Sequence, residues 1–162
     1  MQKKRKEDQA NTLNYHYDMS NQEDLWNLAA ETTEMIDFIN KTGIQDNKAQ
    51  MMRLAEINGM AVMVASERLR DDEELMIAAI RNTGIAFQFA SERIRNMKNV
   101  AELAIYSWPV AYDWLGDDLK MDTDLALRAV IGAPFLYDSL PEEVKKDKYI
   151  QLWASGSDVE ND

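Results

Sequence analysis

The carboxylates are the side chains of this sequence whose types and spacing could do chemistry. They gather in two runs: Asp71, Asp72, Glu73 and Glu74, and then Asp117, Asp118, Asp122 and Asp124. Paired carboxylates can act as general acid and base or bind Ca²⁺ or Mg²⁺. However, residues 116–125 lack the central glycine and terminal glutamate of an EF-hand loop. Several of these residues also fall at expected helix starts, where capping explains them, so we predict no metal site and no catalytic residues there.

Other catalytic constellations are missing from the sequence. His16 is the only histidine, and it stands between two tyrosines in a polar stretch. The chain has no cysteine, which excludes thiol catalysis, disulfides and cysteine zinc sites. It also has no GxGxxG or Walker-type glycine loop to hold a phosphate. Because no activated nucleophile or acid–base pair can be placed, we predict that the protein is not an enzyme and needs no cofactor.

The elements that must position these residues follow a fixed period. Leu69, Ile94, Leu119 and Val144 lie 25 residues apart, and so do Ala61, Ala86 and Ala111. Such a period is typical of stacked copies of one small unit rather than of one irregular core. The clear copies span 46–70, 71–95, 96–120 and 121–145, with a weaker copy at 21–45 and a truncated copy after residue 145.

Two helices separated by a break are predicted in each copy. In residues 71–95 the first helix should begin near Asp71 or Asp72, with Glu74 as the capping-box partner of Asp71. The second helix should carry Ala86 and Phe87 and end near Ile94, and its small alanine should mark a close approach of two helices. The break between them falls at a glycine or a proline in every clear copy: Gly59, Gly84, Pro109 and Pro134.

Aromatic residues that depart from the repeat pattern are the candidates for partner binding. Their positions tolerate polar or charged residues in other copies: Trp108 aligns with Asn58, Thr83 and Ala133, Trp153 with Arg53, Ala78, Leu103 and Arg128, and Tyr106 with Glu56 and Arg81. Trp and Tyr dominate interface energetics, so these three could anchor a partner. The alternative, a local patch that seals the stack, stays open. Trp26 and Trp114 align with apolar residues, and we predict that both are in the core.

The charge of the chain bears on the kind of partner. Lys3, Lys4, Arg5 and Lys6 carry +4 of a net charge of −11, so the rest of the chain carries −15. A body this acidic repels nucleic acid and anionic membranes and attracts basic proteins. We therefore expect a protein partner, with a basic nucleic-acid-binding protein as one candidate, and no direct contact with nucleic acid or membrane. Asp117, Asp118, Asp122 and Asp124 join the candidate partner-binding residues, although solubility alone also explains such charge.

The organisation of the chain follows from these patterns. We interpret residues 1–20 as a flexible basic arm, 21–154 as one helical-repeat domain of about five copies, and 155–162 as an acidic tail. No apolar run approaches the ~20 residues needed to span a bilayer, and the first residues lack the apolar core of a secretory signal. The predicted protein is cytoplasmic and all-α, with stacked hairpins in an α-solenoid-like arrangement.

Two copies share a motif that points to a known family. The motif reads Ala65-Ser66-Glu67-Arg68-Leu69-Arg70-Asp71-Asp72, followed by Ala78-Ala79-Ile80, and returns as Ala90-Ser91-Glu92-Arg93-Ile94-Arg95. It resembles the tandem "domain of unknown function" repeats of bacteria and large DNA viruses. The match is good over two to three copies and fades toward Leu119 and Val144, where only the skeleton remains. The resemblance implies a helical repeat and brings no catalytic residues with it.

Two functions from different classes remain. The first is a non-enzymatic protein–protein interaction module built from helical repeats. The second is an acidic inhibitor of phage or mobile-element origin that blocks a nucleic-acid-binding host defence enzyme, of the anti-CRISPR or anti-restriction type. Salt separates them, because charge-driven binding weakens steeply as ionic strength rises and apolar binding does not. The sequence itself does not name the partner.

Overall fold

The computed structural model describes residues 29–156 together with Glu23 and Asn27. The predicted arm at 1–20, His16, Trp26 and residues 157–162 of the predicted tail lie outside the described residues. The described part of the chain is all-helical and contains no β-strand. Within it, no helix combines the length and the apolar character that crossing a membrane requires.

Long α-helices, 3₁₀ helices and one-turn α-helices alternate along the chain. The α-helices are α1 (Thr32–Thr42), α2 (Lys48–Ala55), α3 (Glu67–Arg70), α4 (Glu73–Asn82), α5 (Glu92–Arg95), α6 (Lys98–Ser107), α7 (Asp117–Lys120), α8 (Thr123–Gly132) and α9 (Lys148–Ala154). The 3₁₀ helices span Gly59–Val64, Gly84–Phe89, Pro109–Trp114, Pro134–Ser139 and Val144–Lys146. Helices α4, α6, α8 and α9 begin 25 residues apart. We call residues 46–95 the amino-terminal pair of segments and residues 96–145 the carboxyl-terminal pair.

Side-chain caps explain where the long helices begin. Asp72 accepts a hydrogen bond from the backbone N–H of Leu75 at 3.0 Å, and Asp122 accepts from the N–H groups of Asp124 and Leu125 at 3.0 and 3.1 Å. The cap of α4 is therefore Asp72, and the predicted capping box that joined Asp71 to Glu74 was wrong. Asp71 is instead the residue that ends α3, and its carboxylate bonds elsewhere.

The predicted second helix of each copy is two helices. In residues 71–95, the 3₁₀ helix Gly84–Phe89 stops at Ala90, whose backbone is extended (φ −63°, ψ 151°). Ser91 then caps α5 by accepting from the N–H of Ile94 at 3.2 Å. A serine hydroxyl that caps a new turn competes with helix continuation, so the Ala-Ser step breaks the helix. The same break occurs at Ala65 and Ser66.

The core runs along the inner side of all these elements. Ala61, Ala86 and Ala111 are fully buried, and the 3₁₀ helices that carry them contact one another in chain order. The residues that follow these alanines, Val62, Phe87 and Tyr112, are also buried. Segment 121–145 differs: the buried Leu136 stands where the other segments have alanine, and the following Tyr137 is only half-buried.

One predicted core residue is not in the core. Trp114 ends its 3₁₀ helix and is 38% exposed. The residues with which it aligns, Val64 and Phe89, are themselves only partly buried. The last position of the 3₁₀ helix thus lies at the rim of the core, where an apolar side chain in the sequence does not guarantee burial.

Candidate functional site

A three-residue clasp joins the start of each segment of the amino-terminal pair to the one-turn helix near the end of the same segment. The Ser66 hydroxyl donates to the carboxylate of Asp46, and Arg68 Nε donates to the same oxygen at 2.9 Å. Arg68 Nη2 also donates to the Asp46 carbonyl at 2.8 Å. Asp71, Ser91 and Arg93 repeat the arrangement, again with 2.9 Å from Nε to the carboxylate. The serine and then the arginine lower the pKa of both aspartates.

The carboxyl-terminal pair lacks this clasp. Asn96 stands where Asp71 stands one segment earlier, Gly116 replaces Ser91, and Asp118 replaces Arg93. The Asn96 side chain fills the space of the missing serine, since a Cβ on Gly116 would lie 1.9 Å from Asn96 Oδ1. Asn96 Nδ2 donates to the Glu92 carbonyl at 3.1 Å. The exchange therefore replaces an ion pair with packing and places an acid where an arginine was.

The four predicted acidic residues occupy two neighbouring turns. Asp117 and Asp118 lie exposed in the first turn of α7, and neither caps that helix. Asp122 caps α8 and forms an ion pair with Lys98 at 2.7 Å, so its predicted role as a cap is confirmed. Partial burial acts to raise the pKa of Asp122, but the Lys98 ammonium and the backbone N–H of Leu125 lower it overall. Asp124 lies exposed in the first turn of α8.

Exposed carboxylates accumulate on the carboxyl-terminal pair. We use the name acidic set for Asp113, Asp117, Asp118 and Asp138, all of which are exposed. No ion pair within 4.0 Å joins any of them to another described residue. The equivalent positions of the amino-terminal pair hold neutral, acidic and basic side chains: Gln88, Glu92, Arg93 and Met63. In the described residues, no group of three or more His, Asp and Glu side chains could hold a metal ion.

The three predicted aromatic anchors divide into two kinds. Tyr106 is 90% exposed at the end of α6. Trp108 and Trp153 are half-buried and pack against the core. Trp153 also contacts Tyr137, with ring centroids 6.2 Å apart, and a Cβ on Gly84 would lie 2.9 Å from the Cβ of Trp108. Among the three, Tyr106 alone presents its ring to solvent.

Two further exposed apolar residues accompany Tyr106. Ile131 is 60% exposed and Phe135 is 66% exposed. We use the name apolar set for Tyr106, Ile131 and Phe135. The ends of α6 and α8 adjoin here, since a Cβ on Gly132 would lie 2.4 Å from Cγ of Pro109. Sequence reasoning missed Ile131, although it takes the position of Glu56 and Arg81 just as Tyr106 does.

A separate depression lies on the amino-terminal pair. It has a volume of ≈ 590 Å³ and is lined by Met52, Glu56, Glu73, Glu74, Ile77, Ala78 and Arg81. Lys48 sits beside it and bridges Asp72 at 2.9 Å and Glu74 at 2.8 Å. Those ion pairs tie the start of α2 to the start of α4, so the acidic residues here serve the junction between segments.

Comparison with known proteins shows a similarity to one family over part of the chain. A family model described as a domain of unknown function (DUF4116) matches residues 47–95. The matched region covers less than a third of the chain and coincides with the amino-terminal pair, where both clasps lie. The chain is similar to that family over this stretch. No curated protein and no solved structure matches it.

Proposed function

We propose that the protein is a protein–protein interaction module that binds its partner through the apolar set. The observation that carries the proposal is the exposure of Tyr106, at 90%, beside Ile131 and Phe135 on the carboxyl-terminal pair. Large exposed apolar side chains are found at interaction sites, and tyrosine is enriched among the residues that contribute most to binding. The proposal assigns the chain no catalytic step.

The proposed architecture is a stack of helical repeats that presents this surface. Equal 25-residue spacing of α4, α6, α8 and α9 supports it. So do the bonds between segments, such as those from Lys98 to Asp122 and from Asn99 to Glu73, which join residues 24 and 26 positions apart. In repeat proteins each unit contacts its neighbours and the shared surface becomes the binding face.

A capture experiment with matched variants tests the function. The full chain, a variant with Tyr106→Ser, Ile131→Ser and Phe135→Ser, and a control with Glu56→Ser and Arg81→Ser serve as baits. The control alters the same positions in the amino-terminal pair. We expect one partner that the wild type and the control capture and the apolar variant loses, with the helical circular dichroism signal unchanged. Equal capture by all three baits would contradict the proposal.

A second candidate function is favoured by the acidic set. An acidic inhibitor would occupy the nucleic-acid channel of a basic host defence enzyme and would use Asp113, Asp117, Asp118 and Asp138 against its cationic lining. The supporting observation is that these four exposed carboxylates make no ion pair with the described residues. Charge-driven contacts are screened within about 8 Å at physiological salt, so they respond strongly to ionic strength.

Salt and competition separate the two candidates. An inhibitor should release its enzyme at moderate salt, and nucleic acid should compete with it for the same site. The acidic variant Asp117→Asn with Asp118→Asn should then lose binding while the apolar variant keeps it. An interaction module should show the reverse order and retain its partner through high salt.

A further inference from the structure

The 3₁₀ helices of the carboxyl-terminal pair place an apolar side chain beside a carboxylate. Residues three apart in a 3₁₀ helix eclipse one another, since the helix has three residues per turn. Phe135 and Asp138 have this spacing in the helix Pro134–Ser139, and both are exposed. Val110 and Asp113 have the same spacing in the helix Pro109–Trp114. Phe135 of the apolar set therefore shares its face of the 3₁₀ helix with the carboxylate of Asp138.

The corresponding faces of the amino-terminal pair carry no such charge. Met60 is paired with Met63 in the helix Gly59–Val64, and Ile85 with Gln88 in the helix Gly84–Phe89. The first residue of each pair is apolar in all four 3₁₀ helices, whereas the second is an aspartate only in the two helices of the carboxyl-terminal pair. Strong apolar exposure and negative charge coincide at Phe135 and Asp138, since Phe135 is 66% exposed and Ile85, at the same position one pair earlier, is 37% exposed.

The charges limit what can cover this surface. Asp113 and Asp138 make no ion pair with the described residues. A second copy of the chain would bring a net charge of −11 of its own and would be repelled. Anionic occupants such as nucleic acid are repelled for the same reason. A partner that places a cation beside an apolar side chain complements both the carboxylates and the apolar side chains of this surface.

We propose that the partner presents a basic amphipathic α-helix to this surface, an inference that rests on the interaction function proposed above. Its apolar side chains pack on Tyr106, Ile131 and Phe135, and its lysines or arginines face Asp113 and Asp138. This is helix-in-groove recognition, in which one face of the ligand helix supplies the anchors.

The spacing of the two segments sets the pattern of that helix. Packed helices lie about 8–10 Å apart, so neighbouring segments repeat at roughly that distance. A helix rises ~1.5 Å per residue, so this distance corresponds to about five to seven residues, of which the seventh returns to the same face of the helix. The partner helix should therefore carry an apolar–basic pair and a second pair about seven residues further on.

Synthetic peptides test the inference with the full chain. One peptide carries leucine and lysine in the heptad pattern, and its control has the same composition in scrambled order. Fluorescence anisotropy of the labelled peptides gives the two dissociation constants. We expect the patterned peptide to bind at least about tenfold more tightly than the scrambled one. Circular dichroism of the bound peptide should show helix.

Matched variants locate the binding surface. Phe135→Ser and the double variant Asp113→Asn with Asp138→Asn should each weaken the patterned peptide by about tenfold. Ile85→Ser and the double variant Glu67→Gln with Glu92→Gln change the same kinds of side chain in the amino-terminal pair and should leave affinity unchanged. The carboxylate variants change only exposed polar side chains. Ile85→Ser and Phe135→Ser remove apolar side chains, so circular dichroism must show that these two variants are folded.

Each remaining outcome overturns the inference in a distinguishable way. Equal affinity for patterned and scrambled peptides would mean binding by charge alone and would favour the inhibitor. Failure of both peptides, with lysate capture still dependent on the apolar set, would remove the helical partner but leave the interaction function standing. If replacing Lys3, Lys4, Arg5 and Lys6 by glutamine strengthened peptide binding about tenfold, the chain's own basic run would be the occupant.

Discussion

The amino-terminal and carboxyl-terminal pairs close their segments with different side chains. In the first, the aspartate that opens each segment forms an ion pair with an arginine near the end of the same segment. In segment 96–120 of the second, Asn96 packs against Gly116, and Asp118 replaces the arginine. The contrast teaches that a segment closed by an ion pair balances its carboxylate with an arginine, whereas a segment closed by packing presents an exposed carboxylate at the position of that arginine.

The turns that precede the 3₁₀ helices also differ between the two pairs. Gly59 is required by close approach, since an added Cβ would lie 2.2 Å from the carbonyl oxygen of Ala79. The carboxyl-terminal pair uses Pro109 and Pro134 at the first position of the 3₁₀ helix, where proline needs no N–H partner. In the carboxyl-terminal pair, the close approach is instead between Gly132 and the ring of Pro109.

The largest difference between the pairs should appear in core truncations. Phe87 is fully buried, whereas Tyr137 at the equivalent position is half-buried. We expect Phe87→Ala to lower the free energy of unfolding by about 3–5 kcal/mol, and Tyr137→Ala by about 1–2 kcal/mol. Urea unfolding followed by circular dichroism measures both. Equal losses would show that the two pairs do not differ in core packing.

The glycine turn should be the next most sensitive. Gly59→Ala would place a methyl group 2.2 Å from a backbone oxygen and 2.9 Å from Thr83 Cβ. We expect a loss of about 1–3 kcal/mol in the free energy of unfolding from overpacking. Pro134→Ala, the matched change in the other pair, should cost less than about 1 kcal/mol because it only frees the unfolded chain. A tolerated Gly59→Ala would remove the steric distinction between the turns.

A hydrogen bond particular to the carboxyl-terminal pair should have a smaller effect. The Tyr112 hydroxyl donates to the Lys120 carbonyl at 2.6 Å. Tyr112→Phe should lower the free energy of unfolding by about 1 kcal/mol at neutral pH, and Tyr137→Phe serves as control. Burial, with Asp113 and Asp122, raises the pKa of Tyr112 to about 12 from 10.0.

The pH dependence of that variant sharpens the test. Because the folded state holds the tyrosine proton more tightly, the stabilisation by Tyr112 is complete below pH 10.0 and is lost as the pH rises toward about 12. The stability gap between wild type and Tyr112→Phe should therefore narrow over that range. A gap that stays constant would assign the effect to packing.

The clasp should give the smallest effect, because it is exposed and screened by solvent. Asp71→Asn should destabilise the protein slightly at neutral pH, since Ser91 and then Arg93 lower the pKa of the carboxyl. That stabilisation is present above the ordinary aspartate pKa of 3.8 and is lost as the pH falls through the lower folded value. Urea unfolding at neutral pH and in acid measures the difference.

Asp117→Asn is the matched control for the clasp. Asp117 makes no ion pair with the described residues. Its variant should therefore match the wild type at both pH values. If Asp117→Asn and Asp71→Asn behaved alike, the ion pairs of the amino-terminal pair would contribute nothing particular to it.

Local sequence signals predicted part of this fold, and contacts between segments decided the rest. Asp122 and the turn residues act locally, so helix starts and breaks could be predicted. The split of the second helix depends on the Ser91 N–H, which donates to the Arg70 carbonyl of the preceding segment at 3.0 Å. A bond between segments is invisible to a helical pattern, which is why the second helix was expected to be continuous.

The candidate surface could be predicted only where a comparison of equivalent positions in the copies indicates which side chains are exposed. Tyr106 was found because charged residues occupy its position elsewhere, and the same rule applied to Ile131 would have found it. Phe135 could not be found in this way, because its position is apolar in every segment. Trp108 and Trp153 show where this rule fails, because both are partly buried although polar residues occupy their positions in some other segments.

The short reach of the bonds within and between segments has a consequence for how the chain acquires its structure. Ser66 meets Asp46 and Lys98 meets Asp122 across only 20 and 24 positions of sequence. Contacts this local close small loops, and proteins dominated by such contacts fold fast. During synthesis, each new stretch of chain emerging from the ribosome meets a preceding stretch that has already formed its helix. Folding can therefore keep pace with translation, and the surface on residues 96–145 is completed last.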